Sequence, residues 1–466
     1  MLSHDDNELL TRVGRGTPMG ELFRRFWLPA ALSSELPAPD CPPLRLRILG
    51  EDLVAFRDTL GRVGILEAYC SHKLAPLFFG RNEECGLRCV YHGWKFDVHG
   101  HCVDVPNVPN PKDAESLKAK VGVTAYPARE AGGVIWIHMG PPDQAAQLPD
   151  FEWARLPAGY QHVTRWLQRS NYAQGMEGEI DTSHIGFLHS YLSGQRPDNL
   201  WRQGVRPVTD PAPVLTLRRT DYGLTYGARR TAGPGQYYWR VTQWLMPMYS
   251  LIATPAFPLH GRAWVPVDDY HTTTWGILYR SDRPFSAQEH DFIMEGAFFP
   301  PRMKAGAVEL PHGYVIDTFV PSANRGNDYL IDRQMQRQYN FTGIAGVNEQ
   351  DRALQENMPS RQAMACSLVD RTREHLVSSD VPVITVRRLL LDLARDLRRG
   401  RGPRPAAEGK LYAVRALDVL SPIAEFDELM RVHATQVRAP LYDGTPTPAQ
   451  SAPASITEPS VREERS

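Results

Sequence analysis

Four residues constrain this chain most: Cys70, His72, Cys89 and His92, spaced as Cys-x-His, sixteen intervening residues, and Cys-x-x-His. Each pair offers one thiolate and one imidazole at a turn, so the fold must bring two loops to one point. Four such ligands suit tetrahedral zinc. They also suit a [2Fe–2S] cluster, with two cysteines on one iron and two histidines on the other. The spacing alone leaves both open, and the surroundings favour iron. Gly93 follows the last ligand and permits a tight loop near inorganic sulfide, while Trp94 and Phe96 can shield a cluster. Zinc fingers usually pair Cys with Cys and His with His along the chain, and here each pair is mixed.

The other cysteines are Cys41, Cys85, Cys102 and Cys366. Four of the six lie between Cys70 and Cys102, which indicates a local site rather than a disulfide framework. The first residues, MLSHDDNELLTRV, lack the basic and apolar regions of a secretory signal. No apolar run reaches transmembrane length. A cytoplasmic protein with reduced thiols is the expectation. With 52 basic and 53 acidic residues and no long run of one sign, the charge pattern supports neither nucleic acid nor an acidic membrane surface as partner.

The 466 residues suggest two or three domains. We read residues 1–40 as an N-terminal helical segment containing the amphipathic piece MGELFRRFWLPAAL. From Pro43 the period becomes two, with Leu44, Leu46 and Ile48 alternating with Arg45 and Arg47, and antiparallel strands are expected through about residue 145. PPDQAAQLPD reads as a linker. Residues 171–190 look helical, followed by strand-like runs at PVLTLRR, LTYGARR, YYWRVTQWLM and TTTWGILYR. Helical periods return in NDYLIDRQMQRQY, EQDRALQENM and VRRLLLDLARDL. The second domain is expected over 146–438. The Pro-, Thr-, Ser- and Ala-rich tail, 439–466, has too little apolar surface to order itself.

A second constellation lies in NYAQGMEGEIDTSHIGFLHS: Asp181, His184 and His189. On an ideal helix Asp181 and His184 lie about 60° apart, whereas His184 and His189 lie about 140° apart. Both histidines reach one metal only if the helix ends or widens between them, with Gly186 the expected place. Two histidines and a carboxylate with open positions form the facial triad of non-haem Fe(II) oxygenases. Asp181 is the candidate carboxylate by nearness.

The segment CSHKLAPLFFGRNEECGLRCVYH closely resembles the Rieske segment of ring-hydroxylating oxygenases, and most of residues 1–435 resemble the phthalate dioxygenase-like branch, which includes phenoxybenzoate and chlorobenzoate enzymes. Supporting stretches are GTPMGELFRRFWLPA, LGEDLVAFRD, NDYLIDRQMQRQYNFTGI and VDRTREHLVSSD. Ser71 and Lys73 stand where the family often has Pro and Arg; neither is a ligand, but the cluster potential could shift. The stretch between Gln355 and Asp370 looks longer than its family counterpart.

The resemblance implies an α+β subunit, with an N-terminal all-β Rieske domain at 41–145 and a C-terminal helix-grip catalytic domain, an antiparallel sheet with helices. It implies one [2Fe–2S] cluster and one mononuclear Fe(II) per subunit. It moves the carboxylate ligand to Asp351 in FTGIAGVNEQDRALQENM, with Glu349 and Glu356 as fallbacks. Asp181 then becomes a bridge to His184 from the cluster histidine, His92, of a neighbouring subunit in a head-to-tail trimer or stacked trimers. Branch members commonly take electrons from an NAD(P)H-dependent reductase with FMN and its own [2Fe–2S] centre. No flavin or nicotinamide fingerprint occurs here, so that reductase is a separate partner.

The implied reaction is dihydroxylation of an aromatic carboxylate with O₂. Monooxygenation or O-demethylation is the alternative, and a pure Rieske electron-transfer protein or a zinc module is the alternative of another class. Tyr238, Arg240, Thr242 and Trp244 share one face of a strand, and Arg240 is the candidate anchor for a substrate carboxylate.

Overall fold

The computed structural model describes residues 2–141, 147–192, 210–254, 258–296, 300–360 and 368–440. Part of the 141–150 linker, Cys366 with much of the Gln355–Asp370 stretch, and nearly all of the 439–466 tail lie outside the described residues.

The amphipathic piece near the N-terminus splits into two elements. Pro18–Phe23 is a helix whose cap, Thr17, accepts a hydrogen bond from the Gly20 amide. Trp27–Leu32 is a strand, paired antiparallel with Val134–His138. Five of its six residues are buried, so it has no polar face from which a period could be read.

The first unit is mainly β rather than all-β: the helix Pro111–Lys118, N-capped by Asn110, packs Ala114 and Leu117 against its core. Leu44–Ile48, Glu51–Arg57, Val63–Glu67 and Ala125–Tyr126 form one antiparallel sheet, and Trp27–Leu32, Val134–His138 and Ala128–Ala131 form a second. Four short strands, Arg81–Glu83, Gly86–Arg88, Lys95–Phe96 and Cys102–Asp104, form a third. Val54, Phe56, Leu66, Leu87 and Phe96 fill the core beneath the cysteines. The alternation at residues 44–48 is realised, with the leucines and Ile48 inward. Arg45 does not face open solvent. Its amide and guanidinium donate to the Asp317 carboxylate at 2.8 and 2.7 Å. Backbone bonds from Leu49 and Gly50 to the Pro266 and Val267 carbonyls add to this junction between the two units.

The second unit is built on an eight-stranded antiparallel sheet. Its order is Gln161–Gln168, Thr272–Tyr279, Leu259–Pro266, Tyr249–Ile252, Tyr237–Leu245, Gly223–Thr231 and Val214–Thr220, with Leu417–Ser421 also paired to Tyr237–Leu245. The strands read from sequence are present. Those missed, such as Gln161–Gln168 and Leu259–Pro266, are buried along most of their length and show little alternation.

The Tyr172–Ile180 helix lies on this sheet, N-capped by Asn171. The indole of Trp244 donates to the Met176 sulfur at 3.2 Å. At Gly175 a Cβ would come within 2.4 Å of Trp264 Nε1, so only glycine permits this approach. Behind the helix, Val381–Arg398 buries Val383, Val386, Leu390, Leu391 and Ala394, the amphipathic stripe visible in the sequence.

A buried ion network ties these helices together. Glu177 accepts from Arg371 at 3.0 Å and from Arg387 at 2.8 Å, and Arg387 also binds Glu374. Burial pushes the Glu177 carboxyl up, but the two guanidiniums outweigh it and bring it down to about 2. A depressed folded pKa contributes stability that is complete above the unfolded value, about 4.5, and is lost as pH falls toward about 2. Glu177→Gln should cost about 3–5 kcal/mol near neutral pH by leaving two buried guanidiniums without their carboxylate. Denaturant unfolding should show that deficit shrinking as pH falls toward 2; a deficit independent of pH would contradict the ion-pair account.

Candidate metal centres

Two loops of matching hydrogen-bond pattern present the first centre. In one, the Cys70 amide donates to the Ala75 carbonyl and the Leu74 amide to the Cys70 carbonyl, both at 2.9 Å. In the other, the Cys89 amide donates to the Trp94 carbonyl at 2.8 Å and the Gly93 amide to the Cys89 carbonyl at 2.9 Å. The fifth position of each loop has positive φ: 55° at Leu74 and 80° at Gly93. Gly93 answers that demand without strain, and its missing Cβ leaves room for Pro106. Leu74 meets the same demand without that freedom.

The loops re-sort the ligands. Along the chain each pair is mixed, but in space the buried Cys70 and Cys89 thiols are neighbours and the His72 and His92 rings meet at 4.5 Å. Like sits with like, which is the division a [2Fe–2S] cluster needs, with thiolates on one iron and imidazoles on the other. The cysteines are buried and the histidines half-buried, so the imidazole end lies toward the surface. Nδ1 of His72 is buried without a hydrogen-bond partner, as expected of a ligand nitrogen. Trp94 stacks on His72 at 4.5 Å, and its indole is held by Asn107 at 2.8 Å. Phe96 is fully buried beneath.

The second centre depends on where a helix stops. The 171–190 stretch is not one helix. Tyr172–Ile180 ends at Asp181, earlier than the expected break at Gly186, and a separate short turn covers His184–Gly186. Asp181 accepts from the Ser183 amide at 2.8 Å, a local bond that competes with continuing the helix. The break removes the 140° problem. His184 Nε2 and His189 Nε2 lie 3.1 Å apart, and Asp351 Oδ1 lies 3.7 and 3.3 Å from them. Among the described residues this is the group of three His, Cys, Asp or Glu whose ligand atoms all fall within 4.8 Å of one another. The donor set fits a two-histidine, one-carboxylate iron site.

Asp351 comes from the Val347–Gln355 helix. Burial raises its carboxyl, but His189 and His184 hold it below the ordinary range. Burial disfavours the His184 imidazolium, yet Asp181 and Asp351 hold its pKa above the ordinary value. Asp181 Oδ2 stands 3.7 Å from His184 Nδ1, on the side of the ring away from the triad. Of the fallbacks, Glu356 is engaged by the Tyr329 hydroxyl at 2.5 Å, and Glu349 packs its carboxylate over Gly346. Among the described residues no hydrogen bond, ion pair or ring contact joins His92 to Asp181 within one chain.

Paired residues on adjacent strands share a face of the sheet. Trp244 pairs with Ser250, and Ser250 with Arg262; Arg240 pairs with Ala228, and Tyr238 with Arg230. Trp244 touches the Tyr172–Ile180 helix, so this whole row looks toward it. Arg240 donates to the Ala253 carbonyl at 3.1 Å, and its Nε is buried without a partner among the described residues. Sequence reasoning missed Arg230, although the same alternation in LTYGARR carries it. Its Nη2 donates at 2.8 Å to the Thr182 carbonyl, in the turn between Asp181 and His184, and its Nη1 is buried without a partner. Burial, with Arg240 opposite, brings Arg230 down to about 10. Glu179, also missed, lies 3.4 Å from Arg262; burial, with Asp351 adding to it against Arg262, raises it to about 7.

A fold with a Cys₂His₂ cluster cradle in a mainly β unit, followed by a two-histidine, one-carboxylate site between helices on an antiparallel sheet, defines a two-centre iron oxygenase. A Rieske [2Fe-2S] domain model matches residues 26–127, and a model described as LigXa C-terminal domain like matches residues 137–422. The 3-chlorobenzoate-3,4-dioxygenase oxygenase subunit of Comamonas testosteroni is 37% identical over 84% of this chain and 88% of its own. The phthalate 4,5-dioxygenase oxygenase subunit of Pseudomonas putida is 35% identical over 84% and 86%. The 5,5'-dehydrodivanillate O-demethylase oxygenase subunit of Sphingobium is 39% identical over 49% and 52%. Among solved structures, Pseudomonas putida CBB5 NdmA with caffeine superposes with a TM-score of 0.55 at 19% identity, over 88% of this chain and 100% of that one. The chain belongs to the oxygenase subunits of the Rieske-type aromatic ring-hydroxylating systems.

If the two ligand sets are independent, single substitutions should empty one centre and leave the other. Cys89→Ser should abolish the g-anisotropic EPR signal of the reduced cluster. Asp351→Ala should keep that signal and lower iron from about three to about two per subunit, as removal of one site predicts. Loss of the cluster signal in Asp351→Ala would contradict separate centres.

Proposed function

We propose that this chain oxidises an aromatic carboxylate with O₂, and that Arg240 and Arg230 receive the carboxylate beside the iron triad. The observation that carries this reading is a buried guanidinium, Arg230, with a half-buried one, Arg240, on the site-facing side of the sheet, each with a buried N–H that lacks an acceptor among the described residues. Leaving such donors unpaired in the interior is costly, and a bidentate carboxylate removes the cost. The dioxygenase relatives named for chlorobenzoate and phthalate support the same class.

In this reading Cys70, His72, Cys89 and His92 hold the cluster, and His184, His189 and Asp351 hold Fe(II). When bound, the cluster supplies electrons singly and the iron supplies O₂ activation. The chain's own residues orient and shield. The arginines fix one end of the ring, and Asp181 holds His184 by its Nδ1.

Asp181 would also accept from His92 of the partner subunit, which requires a ring of copies. Exposed apolar side chains at both ends support that arrangement. Leu74, Phe79, Val90 and Tyr91 surround the cluster loops, while Phe187 and Leu354 come from the segments carrying the triad and Phe341 packs against Phe187. We place the protein in the cytoplasm and assign its electrons to a separate NAD(P)H-dependent reductase carrying FMN and [2Fe–2S]. Among the described residues Cys41, Cys70, Cys85, Cys89 and Cys102 are free thiols, which suits a reducing compartment. No helix among the described residues is long and apolar enough to cross a membrane.

Turnover with a reductase, ¹⁸O₂ and a panel of aromatic acids should give a ring diol carrying two labelled oxygens. One labelled oxygen, or formaldehyde from a lost methyl group, would place the enzyme with its O-demethylase relative instead. Arg240→Ala should raise KM for acids at least tenfold and leave neutral analogues little changed, since only the acid loses a charged contact. Equal effects on both would reject the carboxylate role.

A further inference from the structure

The Asp351 helix does more than supply a ligand. One residue earlier, Gln350 reaches the other side of His189: its Oε1 lies 2.7 Å from His189 Nδ1. Its Nε2 donates to the Ile344 carbonyl at 2.8 Å. That second bond orients the amide, because a carbonyl takes only the NH₂ end. The oxygen therefore faces the ring, the ring proton sits on Nδ1, and the lone pair of His189 sits on Nε2. Nε2 is the atom that faces His184 and Asp351.

The Ile344 carbonyl is itself held. Asn340 Nδ2 donates to it at 2.8 Å, and Asn340 Oδ1 accepts from the Gly343 amide at 2.6 Å. Asn340 belongs to a segment stitched to the chain just beyond His189. Phe341 N donates to the Ser190 carbonyl at 3.1 Å, and Leu192 N to the Tyr339 carbonyl at 2.9 Å. Asn340 and Gln350 are 1% and 3% exposed, so water does not compete for these bonds. A closed circuit results. The ring of His189 is fixed through Gln350, its main chain through residues 339–341, and both paths meet at Ile344.

The two histidines are thus backed differently. His184 has the anionic carboxylate of Asp181 behind its Nδ1, and His189 has a neutral amide. A carboxylate partner raises the donor strength of an imidazole more than an amide does.

We infer that Gln350 is the positioning residue that sets the tautomer and direction of His189 toward the metal, and that Asn340 anchors it. The inference rests on the assignment of His184, His189 and Asp351 as ligands. It is tested on the full chain carrying its cluster, by Fe(II) retained at the mononuclear site during dialysis against a chelator, and by EPR of the nitric oxide adduct of that Fe(II). Gln350→Leu should weaken retention roughly 10–100-fold, the usual effect of losing such a partner, and broaden the nitrosyl signal. Gln350→Glu keeps an acceptor at Nδ1, so it should restore retention and shift the nitrosyl signal through a more basic His189. The reduced-cluster signal should be unchanged in both variants.

Gln350→Leu indistinguishable from wild type in both readouts would overturn the inference while leaving the triad intact. Loss of retention that Gln350→Glu does not rescue would also overturn it, since a packing role alone would account for that. A wild-type protein that retains no chelator-resistant Fe(II) beside an intact cluster would remove the ligand assignment and this inference with it.

Discussion

The contact between the Tyr172–Ile180 and Val347–Gln355 helices governs the second centre. Gly178 has no side chain where Gln355 Nε2 would be 2.3 Å from a Cβ, so the two helices can close on each other. Gln355 spans the gap: its Oε1 accepts from Gln168 Nε2 at 2.7 Å, and its carbonyl accepts from Gln174 Nε2 at 2.8 Å. These amides are buried and in bond contact with strand, helix and helix together. A slip of the later helix by one residue would carry Asp351 about 100° around its axis and dissolve the triad. The sheet, through Trp244 and Trp264, and the ion network around Glu177 hold the earlier helix in the place that this contact requires.

The two centres are built on opposite strategies. The first centre is local, with two loops of the same backbone pattern within one small, mainly β unit, and its two cysteines and two histidines lie on adjacent turns. The mononuclear site is assembled at long range, from the end of one helix and the middle of another, with Gln350 lying 161 residues after His189. A local site needs little from the rest of the chain beyond a rigid base. A long-range site needs the whole catalytic unit, and the buried polar network around it reflects that. Fully satisfied buried hydrogen bonds specify one arrangement because any other leaves a donor or acceptor unpaired.

Electrostatics divide the surroundings of the triad in a way that suits the proposed chemistry. Acidic groups collect at the metal, with Asp351 in the triad and Asp181 behind His184. Arginines collect on the facing sheet, where Arg230 and Arg240 lack full partners and Arg262 is paired with Glu179. Arg230 and Arg262 are buried and the others half-buried, so salt and water screen them less than charges on the open surface. A carboxylate ligand lying between the two zones would satisfy the guanidiniums and leave its ring beside the iron.

The meeting of Cys70, His72, Cys89 and His92 was legible in the sequence because it is carried by residue type and spacing: Cys-x-His and Cys-x-x-His each define one turn, and a turn is a local object. Strands with one polar face, such as Leu44–Ile48, were legible for the same reason. The buried strand Trp27–Leu32 was not, since burial on both faces erases the period. The composition of Asp181, His184 and His189 announced a metal site, but the helix through them ended at Ile180 rather than near Gly186, because the Asp181 side chain caps its own turn. Asp351 came from family likeness, and no spacing rule could have paired it with His189. Residue identity alone determined which atoms could bind metal. Only the tertiary structure decided which of them meet, which way His189 points, and that Arg230 joins Arg240, because these depend on register across strands and helices distant in the chain.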